Sequence, residues 1–201
     1  ECGLDSTPPW MAVLRRMPMP GWLRAAERLH LARVLRSLRY DTRLLPASER
    51  ASDDDGLRMV ALAVHIKRYG FDLRRLPSRP NDALVEDLAF NAMLAAANAA
   101  LTRITTELGE ALPTELEASM ARTPDALEEL WHEPTGQYRS RHAVTGELLV
   151  QPSVATLLPL WAATPSRPRT ERLIELLAQP DRLWPEYPVP SVPVRSSQFQ
   201  E

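Results

Sequence analysis

The sequence has a single cysteine, Cys2, so no internal disulfide can form, and a lone thiol makes a cytoplasmic setting the expectation. Long apolar runs are missing as well. None approaches the roughly 20 residues a helix needs to span a bilayer, so no membrane partner is expected. Charge of one sign is not in excess: 24 Lys and Arg stand against 26 Asp and Glu, a formal net charge of −2, which gives no pull toward nucleic acid or an anionic surface. His30, His65, His132 and His142 show no i,i+4 pairing and Cys2 stands apart from them, so neither a metal site nor a cofactor is expected. The seven glycines form no phosphate-cradling loop, and no serine sits in a nucleophile elbow. Arginines cluster between Arg15 and Arg43, but on an amphipathic pattern with few interleaved aromatics, which reads as a solvated helix face. The opening Glu1-Cys2-Gly3-Leu4-Asp5 has neither the basic nor the apolar region of a signal peptide. It also lacks an initiator Met, and both ends are expected to be truncated.

What remains is an ordinary globular composition, 44% hydrophobic and 25% charged, with enough length for a sizeable core. The 19 prolines fall between helical patterns and punctuate them. Residues 1–21 are expected to be irregular, with Pro8, Pro9, Pro18 and Pro20 blocking a helix. A first helix is predicted from Trp22 to Arg39, with Leu23, Ala26, His30, Leu31, Val34, Leu35 and Leu38 on one stripe. After a polar loop, Ser52 and Asp53-Asp54-Asp55 supply an N-cap and negative charge for a second helix to about Tyr69, ended by Gly70. A long helix is predicted from Asn81 or Asp82 to Glu107, with Gly109 as its stop. Its middle, Leu88 to Asn98, is apolar on nearly every side, which predicts deep burial. Pro113-Thr114 opens a fourth helix to about Trp131. Residues 132–152 read as a turn-rich loop or short hairpin. Two short helices follow at Ser153–Ala163 and Arg169–Ala178, and then an extended, proline-rich tail.

About six helices with no strand series make the chain all-α, and a helix apolar on all sides fits two concentric helical layers better than a simple bundle. Chemistry then has to come from carboxylates, aromatics and loops. Asp5 in its Gly-Leu-Asp segment, taken alone, is more often a turn or cap residue than a catalyst. Trp10, Tyr138 and Trp161 are aromatics able to pack on sugar faces.

A set of ordered motifs gives these residues a context. Glu1-Cys2-Gly3-Leu4-Asp5-Ser6-Thr7-Pro8-Pro9-Trp10 resembles the Glu-x-Gly-x-Asp-Asn-Ser-Pro-x-Trp segment of glycoside hydrolase family 63. In the same order, Leu38-Arg39-Tyr40-Asp41-Thr42 resembles a substrate-binding segment, and Val85 to Ala92 resembles a buried Asp-x-x-Phe-Asn-Ala helix. Leu130-Trp131, Thr135-Gly136-x-Tyr138 and Thr145-Gly146 resemble the family loop that follows. Leu158 to Ala162 resembles a Leu-Pro-Leu turn, and Tyr187 to Val192 resembles a Pro-Ser-Val active-site loop. The likeness is greatest to the mannosylglycerate and glucosylglycerate hydrolase subgroup and covers nearly the whole chain.

The resemblance implies part of an (α/α)6 toroid, with residues 1–201 the central part of one catalytic domain. It implies Asp5 as general acid of an inverting hydrolase, and Trp10, Arg39, Tyr138 and Ser191 as substrate-binding residues. A small carbohydrate is the expected partner, a glucosyl or mannosyl glycoside such as glucosylglycerate or mannosylglycerate. Arg39 is then the candidate cation for the substrate carboxylate. The chain departs from the family at Ser6 and Thr7, at Met11 and at His132. It also has no match to the Tyr-Trp-Arg-Gly-Pro segment or to the later base Glu. The alternative is therefore a non-catalytic helical sugar-binding or interaction module.

Overall fold

The structure is a computed structural model and describes residues 10–28, 52–72 and 84–196. The chain divides into two compact units, one of Ser6–Leu84 and one of Val85–Glu201 with Glu1–Asp5. The described residues of both units are mostly helical, with a few two-residue strands.

In the first unit, α1 spans Trp10–Arg16, where an irregular segment was expected. The prolines at 9 and 18 lie outside this helix, and proline is tolerated at a helix entry because the first N–H groups have no intrahelical partner. Its Met11, Val13 and Leu14 are buried. The α2 helix spans Gly21–Arg28 and starts where Pro20 O accepts from Leu23 N and Arg24 N, at 3.0 and 3.1 Å. The rest of the helix predicted to Arg39 lies outside the described residues. The α3 helix, Asp53–Arg68, begins as the sequence dictates, with the Ser52 side chain accepting from Asp55 N, and ends at Tyr69. Gly70 follows in the left-handed region at φ 64°.

Asp55 is buried, and Arg15 grips both its oxygens from α1, with Nε and Nη2 at 2.8 and 2.7 Å. Arg58 pairs with Asp54 one turn back and donates to Met17 O at 2.9 Å. The basic end of α1 is thus tied to the acidic start of α3.

In the second unit, Val85–Glu86 forms β1 and α4 spans Leu88–Leu108. This long helix starts several residues later than predicted. Asp87, not Asp82, is the N-cap, its side chain accepting from Phe90 N, and Asn91 Nδ2 returns to Asp87 O at 2.7 Å. The Asp-x-x-Phe-Asn-Ala segment is therefore, physically, a helix start. Gly109 ends the helix in the left-handed region, as expected.

Burial corrects a second expectation. Leu88, Ala89, Ala92 and Ala95 form one enclosed stripe, and Leu88, Ala92 and Ala95 pack in a core with Leu127, Leu130, Tyr138, Ala162 and Leu173. The opposite face is open: Phe90 is 55% exposed, Leu94 51%, Ile104 55% and Leu108 70%. The stretch is apolar all round, yet the described residues cover only one side.

The predicted fourth helix is two, α5 at Thr114–Ala121 and α6 at Thr123–Glu128. Pro124 sits in the first turn of α6. With no N–H, it cannot continue the α5 ladder, and the chain restarts. A hairpin follows, β2 (Trp131–His132) antiparallel to β3 (Gln137–Tyr138). Then β4 (Arg141–His142) pairs with β1. Gly136 and Gly146 take the left-handed turn positions, at φ 62° and 73°. A 3-10 turn at Val154–Leu157, capped by Ser153, runs into α7 (Leu158–Trp161), and α8 spans Arg167–Leu177. The proline-rich tail is irregular but packed: Leu183 and Val192 are buried, and Val194 N donates to Arg182 O at 2.9 Å.

Candidate functional site

Of the five site residues expected from the sequence, Asp5 and Arg39 lie outside the described residues. Trp10 opens α1 of the first unit and is half-buried. Tyr138 and Ser191 belong to the second unit, and the 3-10 turn brings them to one place. Tyr138 N donates to Thr156 Oγ1 at 3.0 Å, while Val154 N donates to Ser191 O at 2.8 Å. A four-residue turn thus holds the hairpin on one side and the Pro-Ser-Val loop on the other. Ser140 secures the same region, its buried hydroxyl accepting from Leu88 N at 3.0 Å at the head of α4.

Tyr138 is almost fully enclosed, 2% exposed. Its ring meets Trp131 edge to face, with centroids 4.9 Å apart, and its hydroxyl donates to Glu128 Oε1. Arg169 completes the group from α8. Its Nη1 donates to Glu128 Oε2 at 2.6 Å and to Glu128 O at 3.0 Å, and its guanidinium lies over the Trp131 ring at 4.9 Å. Burial, and next the hydrogen bond to Glu128, push the Tyr138 hydroxyl well above its ordinary value. Glu128 has both oxygens engaged, one by Tyr138 and one by Arg169, so it serves as an anchor between the hairpin and α8.

Arg141 holds the strand pair in a similar way, donating to Glu86 at 2.6 Å and Glu129 at 3.0 Å. His132, which departs from the family pattern, sits in the hairpin turn with Nδ1 2.8 Å from Thr135 Oγ1. Sequence reasoning missed Glu128, Arg169, Thr156 and Ser140. Glu128 and Arg169 are 41 residues apart, and no local pattern announces such a pair. Among the described residues there is no cluster of three His, Cys, Asp or Glu suited to a metal, and no helix long and apolar enough to cross a membrane.

Comparison with known proteins bears on the whole chain. A family model described as the mannosylglycerate hydrolase MGH1-like glycoside hydrolase domain matches residues 1–201. A mannosylglycerate hydrolase of Thermus thermophilus is 32% identical over 203 aligned positions, which take in 100% of this chain and 45% of that protein. One from Rubrobacter radiotolerans is 25% identical over 181, covering 90% of this chain and 38% of the relative. The crystal structure of a GH63 mannosylglycerate hydrolase from Thermus thermophilus in complex with Tris superposes with a TM-score of 0.77 at 28% identity, over 98% of this chain and 44% of that one. Its complex with Tris and D-glycerate gives 0.76 at 28%, over 98% and 45%. The chain spans less than half the length of these relatives.

Proposed function

The chain belongs to the MGH1-like glycoside hydrolase family, and on that premise we propose that it forms part of the catalytic domain of an inverting hydrolase of a small sugar-acid glycoside, glucosylglycerate or mannosylglycerate. The observation that carries the reading is the family match over residues 1–201, which includes the segment ending in Asp5 and Trp10. Helical neighbours at 28% identity support a partial (α/α)6 toroid.

Glycoside cleavage by inversion needs two carboxyl groups about 6.5–9.5 Å apart, one to protonate the leaving oxygen and one to activate a water on the opposite face of the sugar. In this reading Asp5 is the acid, and the base lies in polypeptide beyond these 201 residues. Trp10 offers an apolar face to the sugar ring, Arg39 meets the substrate carboxylate with paired N–H bonds, and the loop around Ser191 borders the site. Tyr138, expected to bind substrate, is enclosed at 2% exposure and contributes through the hairpin it anchors. Trp161, 65% exposed, is free to take part in sugar stacking.

The test is stereochemical. A protein extended to the length of its relatives is given glucosylglycerate or mannosylglycerate, and proton NMR follows the first sugar released. The reading expects the anomer opposite to that of the substrate, before mutarotation mixes the two. Release of the same anomer excludes inversion, and no release from either substrate counts against the substrate class and favours a non-catalytic sugar-binding module.

A further inference from the structure

Among the described residues, several arginines are paired with acids. Arg15 has Asp55, Arg58 has Asp54, Arg141 has Glu86 and Glu129, and Arg169 has Glu128 and Glu133. Arg139 departs from this pattern. It is buried, at 9% exposure, and among the described residues no carboxylate reaches it. Only its Nη2 has a partner, donating to Thr135 Oγ1 at 3.2 Å; Nε and Nη1 are enclosed with no acceptor. The Thr135 hydroxyl carries no charge and is already engaged by His132 Nδ1.

Two other buried donors of the same unit lack acceptors, Trp131 Nε1 and His142 Nε2. These differ in kind. Indole is neutral, and His142 Nδ1 accepts from Val144 N and Thr145 N at 3.1 and 3.3 Å, which places its single proton on Nε2. One water is enough to satisfy either donor. Water does not neutralise a guanidinium. A buried cation without a counter-charge opposes folding, and the remedy is an anion with several acceptor lone pairs. Burial accordingly lowers the Arg139 pKa, the only cause acting on it.

We propose that Arg139 is a carboxylate receptor, its unpartnered Nε–H and Nη1–H groups donating to an acid that the described residues do not supply. The acid is either a small free carboxylate or an Asp or Glu side chain of polypeptide beyond these residues. The inference rests on the proposed function only for the choice of D-glycerate as one probe.

The experiment is thermal unfolding of the wild type and of Arg139→Gln in sodium acetate and sodium D-glycerate, with sodium chloride and glycerol as matched controls. For a free acid, acetate and D-glycerate raise the Tm of the wild-type chain saturably, by about 5 °C at one hundred times Kd. They leave Arg139→Gln unmoved. The variant should fold, since it removes an uncompensated charge. A Trp fluorescence titration of the wild type reads the same binding without any variant. For a side-chain acid, the protein extended to its relatives' length ignores both probes, and Arg139→Gln lowers its Tm. The proposal is overturned if chloride or glycerol act as strongly as the acids, if the variant responds like wild type, or if neither protein shows either behaviour. Acetate binding that persists in an extended protein inactive on both sugar acids keeps the receptor and sinks only the hydrolase reading.

Discussion

The carboxylate of Asp55 lies buried at the start of α3 with both oxygens held by Arg15. The hydrogen bond from Arg15, opposed in part by burial, holds its pKa below the ordinary 3.8. A depressed carboxylate adds stability that is complete above the unfolded value and is lost as pH falls through the folded one. Urea unfolding of the chain should therefore weaken below pH 4. Asp55→Asn should cost about 2 kcal/mol near neutrality, between the values for exposed and buried pairs because half of Arg15 remains in water, and it should flatten the acid slope. An unchanged slope in the variant would assign the acid sensitivity elsewhere. Tyr138 is the corresponding residue of the second unit. Removing its hydroxyl in Tyr138→Phe leaves Glu128 with one partner fewer and should cost about 2 kcal/mol. Because its ionisation is displaced upward, wild type and variant should show the same tyrosinate absorbance near pH 10.5 while folded. They should differ once unfolded.

At the scale of the element, α4 carries two apolar stripes with different fates. Ala92 is 0% exposed, so Ala92→Asp would bury an unpaired charge and should cost more than about 3 kcal/mol. Leu94→Lys on the open face should change stability by less than about 0.5 kcal/mol in this chain. Circular dichroism melts of the two variants test the asymmetry; similar losses would mean the outer stripe is covered. Gly109→Ala meets open space but sits at φ +67°, and should cost about 1 kcal/mol through backbone conformation alone.

Element ends were legible where the signal is local. Ser52 with its aspartates, Gly70 and Gly109 act through groups within a few residues, and the structure has them in those roles. The start of α4 was not legible, because Asp82 and Asp87 are both good caps and the pairing of Val85 and Glu86 with residues 141–142 is a tertiary event. The split at Pro124 was legible in principle and outweighed by a continuous apolar pattern. The site follows the same division. The motif segments point to Asp5, Trp10 and Ser191, whereas the Glu128–Tyr138–Arg169 group depends on contacts across 41 residues.

For the whole molecule, the open stripe of α4 and the exposed Trp22, Phe71, Trp161 and Trp184 leave much apolar surface in water, which favours self-association of the isolated chain. In the proposed function Asp5 is the proton donor of a hydrolase whose second carboxylate lies in another segment. This role is tested most directly by release of sugar from mannosylglycerate and glucosylglycerate in three proteins: the 201-residue chain, a protein extended to its relatives' length, and that protein carrying Asp5→Asn. Asn is nearly the same shape as Asp but has no acidic proton, and general acid help is worth about 10²–10⁴-fold. The short chain should give no useful turnover, the extended protein should turn over, and the variant should lose activity by that factor. Robust turnover by the 201-residue chain, or an extended Asp5→Asn protein as fast as its parent, would contradict that role.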